Sequence, residues 1–399
     1  MTSKRRYFLF AVSVTITATI GLLYSYSFLP LLWIETRCED LLTQYAKKAP
    51  VSNQIVFCGI QNPSSLHFDE SVLKENPTLQ LMLRPFPWSR EIWATLLTTL
   101  FKAKVKLVVF DLYFDKTREG DAAFKSVLDT HQSQVVMGCM FDSLAHGAPT
   151  IDNCLTPHES ILGTNWEEGP LDTNGVVGHT YVPKDWDGVR RSFQKNDYSL
   201  GECLPIEMLM GRAIRKIGRP KVLAACNQRQ RFRFAGGPGT FTVIPIQEVL
   251  TTTLWKSKYD NGVVFENKIV VIGSSGNWSG DQKQTPFPGL MDGTEVQINI
   301  LNAMLEGELL TKVSRWWALC IIVMAGVCGF MVANAIKTFP VFWPAIIGGN
   351  VLYFAAACCA YNSFNLIVPM VSPIITFTCV LGQAFTPSFA EKATINGPG

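Results

Sequence analysis

The chain has 399 residues, 48% of them hydrophobic and only 17% charged, and 35 Lys and Arg against 32 Asp and Glu leave a formal net charge of +3. Near-neutrality, with no basic stripe carrying interleaved aromatics, excludes nucleic acid as a partner. Charge is absent altogether from three stretches, Tyr7 to Ile34, Trp316 to Ile336 and Thr338 to Ala390.

A helix needs ~20 mostly apolar residues to cross the hydrocarbon core, so the first two stretches each hold one crossing and the third holds two. The divider in the third is Tyr361-Asn362-Ser363-Phe364-Asn365, a polar and aromatic turn suited to a membrane interface. Spans are predicted at residues 7–29, 316–336, 341–361 and 365–385, with a head at 1–6, an external domain at 35–315 and a tail at 386–399. The first run is longer than a secretory h-region and exits through bulky Leu31-Leu32-Trp33, so it reads as an anchor and not a cleaved signal. Lys4, Arg5 and Arg6 place the N-terminus on the cytoplasmic face, and four crossings return the C-terminus there. Lys337 falls on the same face, while Lys312 and Arg315 fall on the other. The expectation is a multi-pass protein of the inner or plasma membrane with a large extracytoplasmic domain and the lipid bilayer as its surroundings.

Within that domain, apolar runs of strand length alternate with helical patterns. Gln54 to Ile60 is a first strand. Ser89 to Ala103 is a helix, with Ser89 as N-cap and Glu91 in its first turn. Lys106 to Phe110 is a buried strand, followed by a helix near Asp121 to Thr130 and a strand at Ser133 to Met140, the rhythm of parallel β-α-β units. Asp142 to Gly175 reads as a long loop or small insertion. Gly178 to Val182 and Arg190 to Phe193 are predicted to pair as a hairpin about Lys184-Asp185-Trp186-Asp187-Gly188, because Asp-Gly is a strong turn signal. A long helix is expected over Leu200 to Ile217, short strands at Arg231 to Phe234 and Thr240 to Ile244, and a helix at Ile246 to Leu254. Lys268 to Gly273 is a central strand and Thr294 to Leu305 a closing helix. The fold class is α/β, a mixed β-sheet domain flanked by one N-terminal and three C-terminal transmembrane helices.

Five of the 11 cysteines, Cys320, Cys328, Cys358, Cys359 and Cys379, fall in predicted spans and act as small apolar residues. Cys38, Cys58, Cys139, Cys154, Cys203 and Cys226 would face an oxidising compartment. Cys139 with Cys154 is the best single pairing, since one ends an apolar strand and the other sits in the polar loop that follows; buried free thiols are the alternative. The five histidines show no ligand spacing. No metal and no cofactor is expected.

In order, these pieces resemble the second family of CHASE domains, extracytoplasmic sensory domains associated with cyclases and histidine kinases. The resemblance is carried by Pro87-Trp88-Ser89-Arg90 at the start of the first long helix, by Val108-Val109-Phe110-Asp111-Leu112-Tyr113-Phe114 with Asp121 beyond it, and by Asp187-Gly188-Val189-Arg190-Arg191. It continues through Phe232-Arg233-Phe234-Ala235-Gly236-Gly237-Pro238 and a final block: Phe265 to Gly273, Asp281, Thr285-Pro286-Phe287, Gly293 through Asn299, and Leu305-Glu306-Gly307. It covers most of the region from Glu35 to Thr311 and includes the one-plus-three arrangement of spans. It implies a bacterial source and an effector of the kinase or cyclase class. Three departures stand out. Gln61-Asn62-Pro63-Ser64 replaces the family's acidic pair and serine, Gln297-Ile298 replaces its His-Ala, and only a short tail follows the last predicted span.

Asp111 ends a buried strand, the place where α/β folds put ligand-contacting residues, though local backbone N–H groups could equally occupy it. Arg90 could grip an anion or pair with Asp111 or Glu91. Asp187 and Arg190 carry a similar ambiguity, a tight turn alone explaining Asp187-Gly188. The segment Gly273 to Gly280 lacks both the P-loop Gly-Lys-Ser/Thr and the Gly-x-Ser-x-Gly elbow, so Ser274, Ser275, Asp281 and Thr285 are expected to bind rather than to catalyse. Asn277-Trp278-Ser279 is a glycosylation sequon only in a eukaryotic secretory setting. The expected function is therefore a non-catalytic, membrane-anchored sensory or protein-binding module, with an unidentified small ligand and a separate membrane or effector chain as partners. The alternative is an accessory subunit whose external domain is a docking platform; an external enzyme is a distant third.

Overall fold

The computed structural model describes residues 3–141, 154–162, 176–197, 206–336 and 339–383. Most of the predicted insertion over 142–175, the tail at 386–399, Cys203 and the Cys154 side chain lie outside the described residues. The chain forms two compact units, Lys48–Leu309 and a second made of Met1–Lys47 with Leu310–Gly399. The helix Leu29–Tyr45, which the sequence divides between span and external domain, belongs to the second unit.

The first unit is built on β1 (Ile55–Ile60), β2 (Leu107–Asp111), β3 (Val135–Phe141), β4 (Cys154–Leu155), β5 (Val177–His179), β6 (Val243–Pro245) and β7 (Ile269–Ser274). The spatial order is β6-β1-β7-β2-β3, all parallel. β5 lies parallel on β3, and β4 lies antiparallel on the end of β3, which makes the sheet mixed. Side chains alternate across it. On one face Cys58, Ile60, Val108, Phe110, Val135, Met137, Val270 and Ile272 bury against Ile92, Trp93, Leu96, Leu97 and Leu100 of the helix Arg90–Lys102. On the other, Phe57, Leu107, Val109, Val136, Ile269 and Val271 meet Met210, Ala213 and Ile214 of Leu209–Lys216 and Val296, Ile300 and Leu301 of Gly293–Glu306. Both faces are covered, so these strands read as unbroken apolar runs. Ser89 caps the Arg90 helix as its sequence requires, its hydroxyl accepting from Glu91 N at 3.3 Å.

Three expectations are corrected. Val177–His179 and Ser192–Gln194 do not form a hairpin with each other: the first joins β3, and the second pairs antiparallel with Arg229–Phe232. The Asp-Gly turn between them is present, with Gly188 N donating to Asp185 O at 2.9 Å and Gly188 at φ +83°. Of the helix expected over Leu200 to Ile217, residues 200–205 lie outside the described residues, and the described part is helical only from Leu209, because Ile206–Glu207 pairs with Asn196–Asp197. The helix expected over Ile246 to Leu254 is two short ones, Ile246–Val249 and Thr252–Ser257.

In the second unit Arg6–Ser25, Arg315–Ala335 and Pro340–Phe364 are long and apolar enough to cross a membrane. Small residues set their packing, Gly326 lying against Thr17 and Gly329 against Val380. Asn350 Nδ2 donates to Thr378 Oγ1 at 2.9 Å, an interhelical bond. Where one span over 365–385 was predicted, Asn365 takes a left-handed backbone, Leu366–Ile367 pairs with Thr311 and Lys312, and only then does the 12-residue helix Val371–Gly382 begin. Pro373 falls in the first turn of that helix, where proline is tolerated, so it produces no mid-helix kink.

The packing of β7 on the closing helix leaves no room at Gly273, where an added methyl would collide with the Thr294 side chain. Gly273→Ala should therefore destabilise the first unit by about 1–3 kcal/mol. Hydrogen exchange of the β7 amides in the intact, detergent-solubilised protein measures this, and Thr294→Ala in the same chain should recover part of the loss. Unchanged exchange in the single variant would contradict the packing described.

Candidate ligand-binding site

β2 turns Phe110 into the core and so turns the next residue, Asp111, to the face that the closing helix covers. Thr294 Oγ1, in the first turn of that helix, donates to Asp111 Oδ2 at 2.8 Å. Gly273 is paired with Asp111 across β7 and β2, and its missing side chain admits Thr294. A second carboxylate, Asp281, packs directly on Gly293, whose N–H donates to Asp281 O at 2.7 Å. Asp281 opens the hairpin Gln282–Gln284 with Leu290–Asp292, and Lys283 forms an ion pair with it.

Arg190 runs beside this hairpin, its backbone N–H donating to Gln284 O at 2.9 Å. Its Nε is buried and donates to no acceptor. Thr285, 3% exposed, has a buried Oγ1 that is likewise unpaired. Tyr113 and Thr180 share a hydroxyl–hydroxyl bond of 2.6 Å, and Gln297 Nε2 holds Thr180 O at 2.7 Å. Tyr113 and Tyr181 are 38% and 51% exposed and form a rim. Two or three convergent polar groups beside aromatic surface, beyond the ends of parallel strands, is the setting in which α/β sheets bind small molecules.

Burial dominates the electrostatics. It pushes Asp111 up to about 7, with Asp281 adding to the rise and the Thr294 bond and Lys283 opposing it. It also raises Tyr113, with Asp111 contributing, and lowers Arg190 against the pull of Asp281. Below neutral pH, Asp111 is thus a hydrogen-bond donor as well as an acceptor.

Of the residues singled out in the sequence, Asp111, Arg190 and Asp281 converge here, and Thr285 follows the strand that holds Arg190. Arg90 goes elsewhere: its Nε lies 3.3 Å from Asp121, not on Asp111 or Glu91, with Nη2 donating to Lys116 O at 3.1 Å and the guanidinium 4.5 Å from the Phe114 ring centroid. Asp121 is the better partner because the turn before its helix faces the Arg90 helix, and Ser160 Oγ also donates to it at 2.7 Å. Asp187 is taken by Arg191, which donates to both its oxygens at 2.9 and 2.7 Å and holds its carboxyl below the usual range. Ser274 is buried at the end of β7, and Ser275 N–H donates to Ile60 O at 3.0 Å. Beyond them Trp278 Nε1 donates to Ile60 O and Ser275 O, and Gly276 N–H to Asp292, so the loop is closed down on β1 and the hairpin. Cys139 is buried on β3, and β4 brings Cys154 opposite Phe141; the predicted pairing rests on a side chain outside the described residues. Among the described residues no three His, Cys, Asp or Glu are placed to hold a metal ion. Thr294, Tyr113, Thr180 and Lys283 carry no mark of a site residue in the sequence, since each owes its place to strand register or hairpin pairing.

The raised Asp111 gives a signed pH dependence. The unfolded chain releases this proton in the ordinary carboxylate range, the folded chain only at about 7. Between the two the folded state binds more protons, so this contribution to stability is complete at low pH and is lost as pH rises through about 7. Asp111→Asn keeps an acceptor for Thr294 and removes the charge. Its melting temperature, read on the intact protein from about pH 5 to 8, should show a flatter decline than the parent; parallel curves would refute the assignment.

A family model, the CHASE2 domain, matches residues 14–332, which span the Asp111 cluster and the helices on either side. No curated protein and no solved structure matches the chain. With well over half of its length matched, the chain belongs to the CHASE2 domain family, a family of extracellular sensory domains.

Proposed function

We propose that this protein is a membrane-anchored, extracytoplasmic, non-catalytic sensor that relays a signal to a separate membrane or effector chain of the kinase or cyclase class. The observation that carries this reading lies in the membrane-helix unit. Glu35, on the helix that leads from the first apolar helix toward Lys48, is 7% exposed and accepts from Met370 N, Ser372 N and Ser372 Oγ at 2.8, 2.8 and 2.7 Å. It thereby caps the helix Val371–Gly382 from a point distant in sequence.

One turn on, Glu39 forms an ion pair with Lys312, just beyond the point where the chain returns at Leu310. Thr311 and Lys312 pair in turn with Leu366 and Ile367. Leu42, Leu310, Tyr361, Ile367 and Met370 bury together beside these bonds. Both connections to the Lys48–Leu309 unit are thus fastened to the segment that opens the last apolar helix. A displacement arriving along either connection would reach that helix, and charge-assisted bonds suit such a joint.

Two neutral amides favour the accessory-subunit reading instead. Gln61 accepts from Gln247 at 3.0 Å, and Gln297 is engaged with Thr180, so both family positions make internal bonds here. Purification of the tagged protein in mild detergent separates the readings. A co-purifying kinase or cyclase supports sensing, and a fixed set of non-signalling membrane proteins supports the docking platform. Hydrolytic or transfer activity abolished by Asp111→Asn would overturn both.

Glu35→Ala strands two buried backbone N–H groups, at about 1–3 kcal/mol each. Amides of 370–382 should then exchange at least about tenfold faster, while those of β7 keep the parental rate. If both regions or neither responded, Glu35 would not be a local fastener.

A further inference from the structure

We infer that the cluster at the strand ends binds a small soluble oxyanion, a carboxylate or phosphate group, on the Arg190 guanidinium. The inference deepens the sensory reading and rests on it for its meaning, but the binding itself can be measured without a partner.

Three observations point the same way. First, a charged donor and a hydroxyl able to donate are left unpaired here. Arg190 Nε is buried without an acceptor, and the Thr285 hydroxyl, 97% buried by its 3% exposure, is also unpaired. A buried donor without a partner costs about 1–3 kcal/mol, more when it is charged. Each carboxylate present is already engaged, Asp281 by Lys283 and Asp111 by Thr294. What the guanidinium lacks is an acceptor.

Second, the two donors lie on neighbouring segments, since the Arg190 backbone is bonded to Gln284, the residue before Thr285. Lys283 turns to Asp281 at the start of the hairpin strand Gln282–Gln284, and Arg190 is tied to the end of the same strand through Gln284 O. Asp281 attracts Arg190 electrostatically yet makes no ion pair with it within contact distance, its partner being Lys283.

Third, the local charge favours an anion. Arg190 and Lys283 face Asp281, while Asp111 is held largely neutral in mild acid by its surroundings. A planar guanidinium fork matches carboxylate and phosphate oxygens better than a point charge would. Tyr113 and Tyr181 then supply rim surface for whatever the anionic group is attached to.

The experiment is calorimetric titration of the intact, detergent-solubilised protein with sodium acetate and with inorganic phosphate, against sodium chloride at matched ionic strength. Saturable binding of at least one oxyanion is expected, weakened about tenfold or more by Arg190→Gln and less by Arg190→Lys. The stronger of the two probes identifies the group. Should Arg190→Gln fail to fold, Thr285→Val tests the same site with almost no change in shape and should weaken binding several-fold. No saturable heat with either probe overturns the proposal, as does equal binding by parent and variants, which would mark a general salt effect. Either result would leave the Glu35 fastening, and the relay proposed from it, unaffected.

Discussion

The closing helix Gly293–Glu306 is buried from Gly293 through Leu305, and five of those residues are polar: Thr294, Glu295, Gln297, Asn299 and Asn302. None can turn to water. Each must therefore find a partner inside, and apart from Asp111 on β2 most partners outside the helix lie in segments that have no regular structure to hold them. Asn302 takes Ser52 N at 2.8 Å and gives to Pro50 O at 2.9 Å. Asn299 takes Ala235 N at 2.9 Å, and Glu295 takes Gly239 N and Phe241 N at 3.0 and 3.3 Å. Burial pushes the Glu295 carboxyl up, and those N–H bonds pull it back. Gln297 and Thr294 reach Thr180 and Asp111. A helix normally organises a fold through an apolar stripe; this one also does so through the obligation to satisfy its buried polar groups.

That constraint explains what could and could not be read from the residues. β1, β2, β3 and β7 stood out because strands covered on both faces are continuous apolar runs, and Ser89 marked its helix because capping is local. Asp111 stood out as the polar end of such a run. Pairings that depend on which distant edge is free did not show. The turn at Asp187-Gly188 implied a hairpin, but the turn is closed by Arg191 with Asp185 and Asp187, which frees the flanking segments to pair with β3 and with Arg229–Phe232. Hydropathy likewise marked 365–385 as one apolar run, whereas Leu366 and Ile367 are spent on pairing with Thr311 and Lys312. Thr294 was invisible for the same reason: only the register of β7 on β2 reveals that Gly273 makes way for it.

The two polar centres differ in a way that suits different jobs. Around Glu35 one carboxylate accepts three bonds from the segment 370–372, so the centre holds one geometry. Around Arg190 a guanidinium nitrogen and the Thr285 hydroxyl are unpaired, so the centre would gain by admitting something from outside. Satisfied clusters fix structure, and unsatisfied ones respond to solution composition.

The closing helix joins these regions in sequence. Its first turn carries Thr294, bonded at the strand ends, and its last residue precedes Glu308 and Leu309, where the chain leaves the unit. Fourteen residues at about 1.5 Å each make a rod of about 21 Å. Its polar contacts lie on several sides, so a small slide or roll would break several of them together while a partial one would satisfy none. Leaving this seat would therefore cost those bonds together and not one by one. Its response to a change at Asp111 would be a step, not a slope.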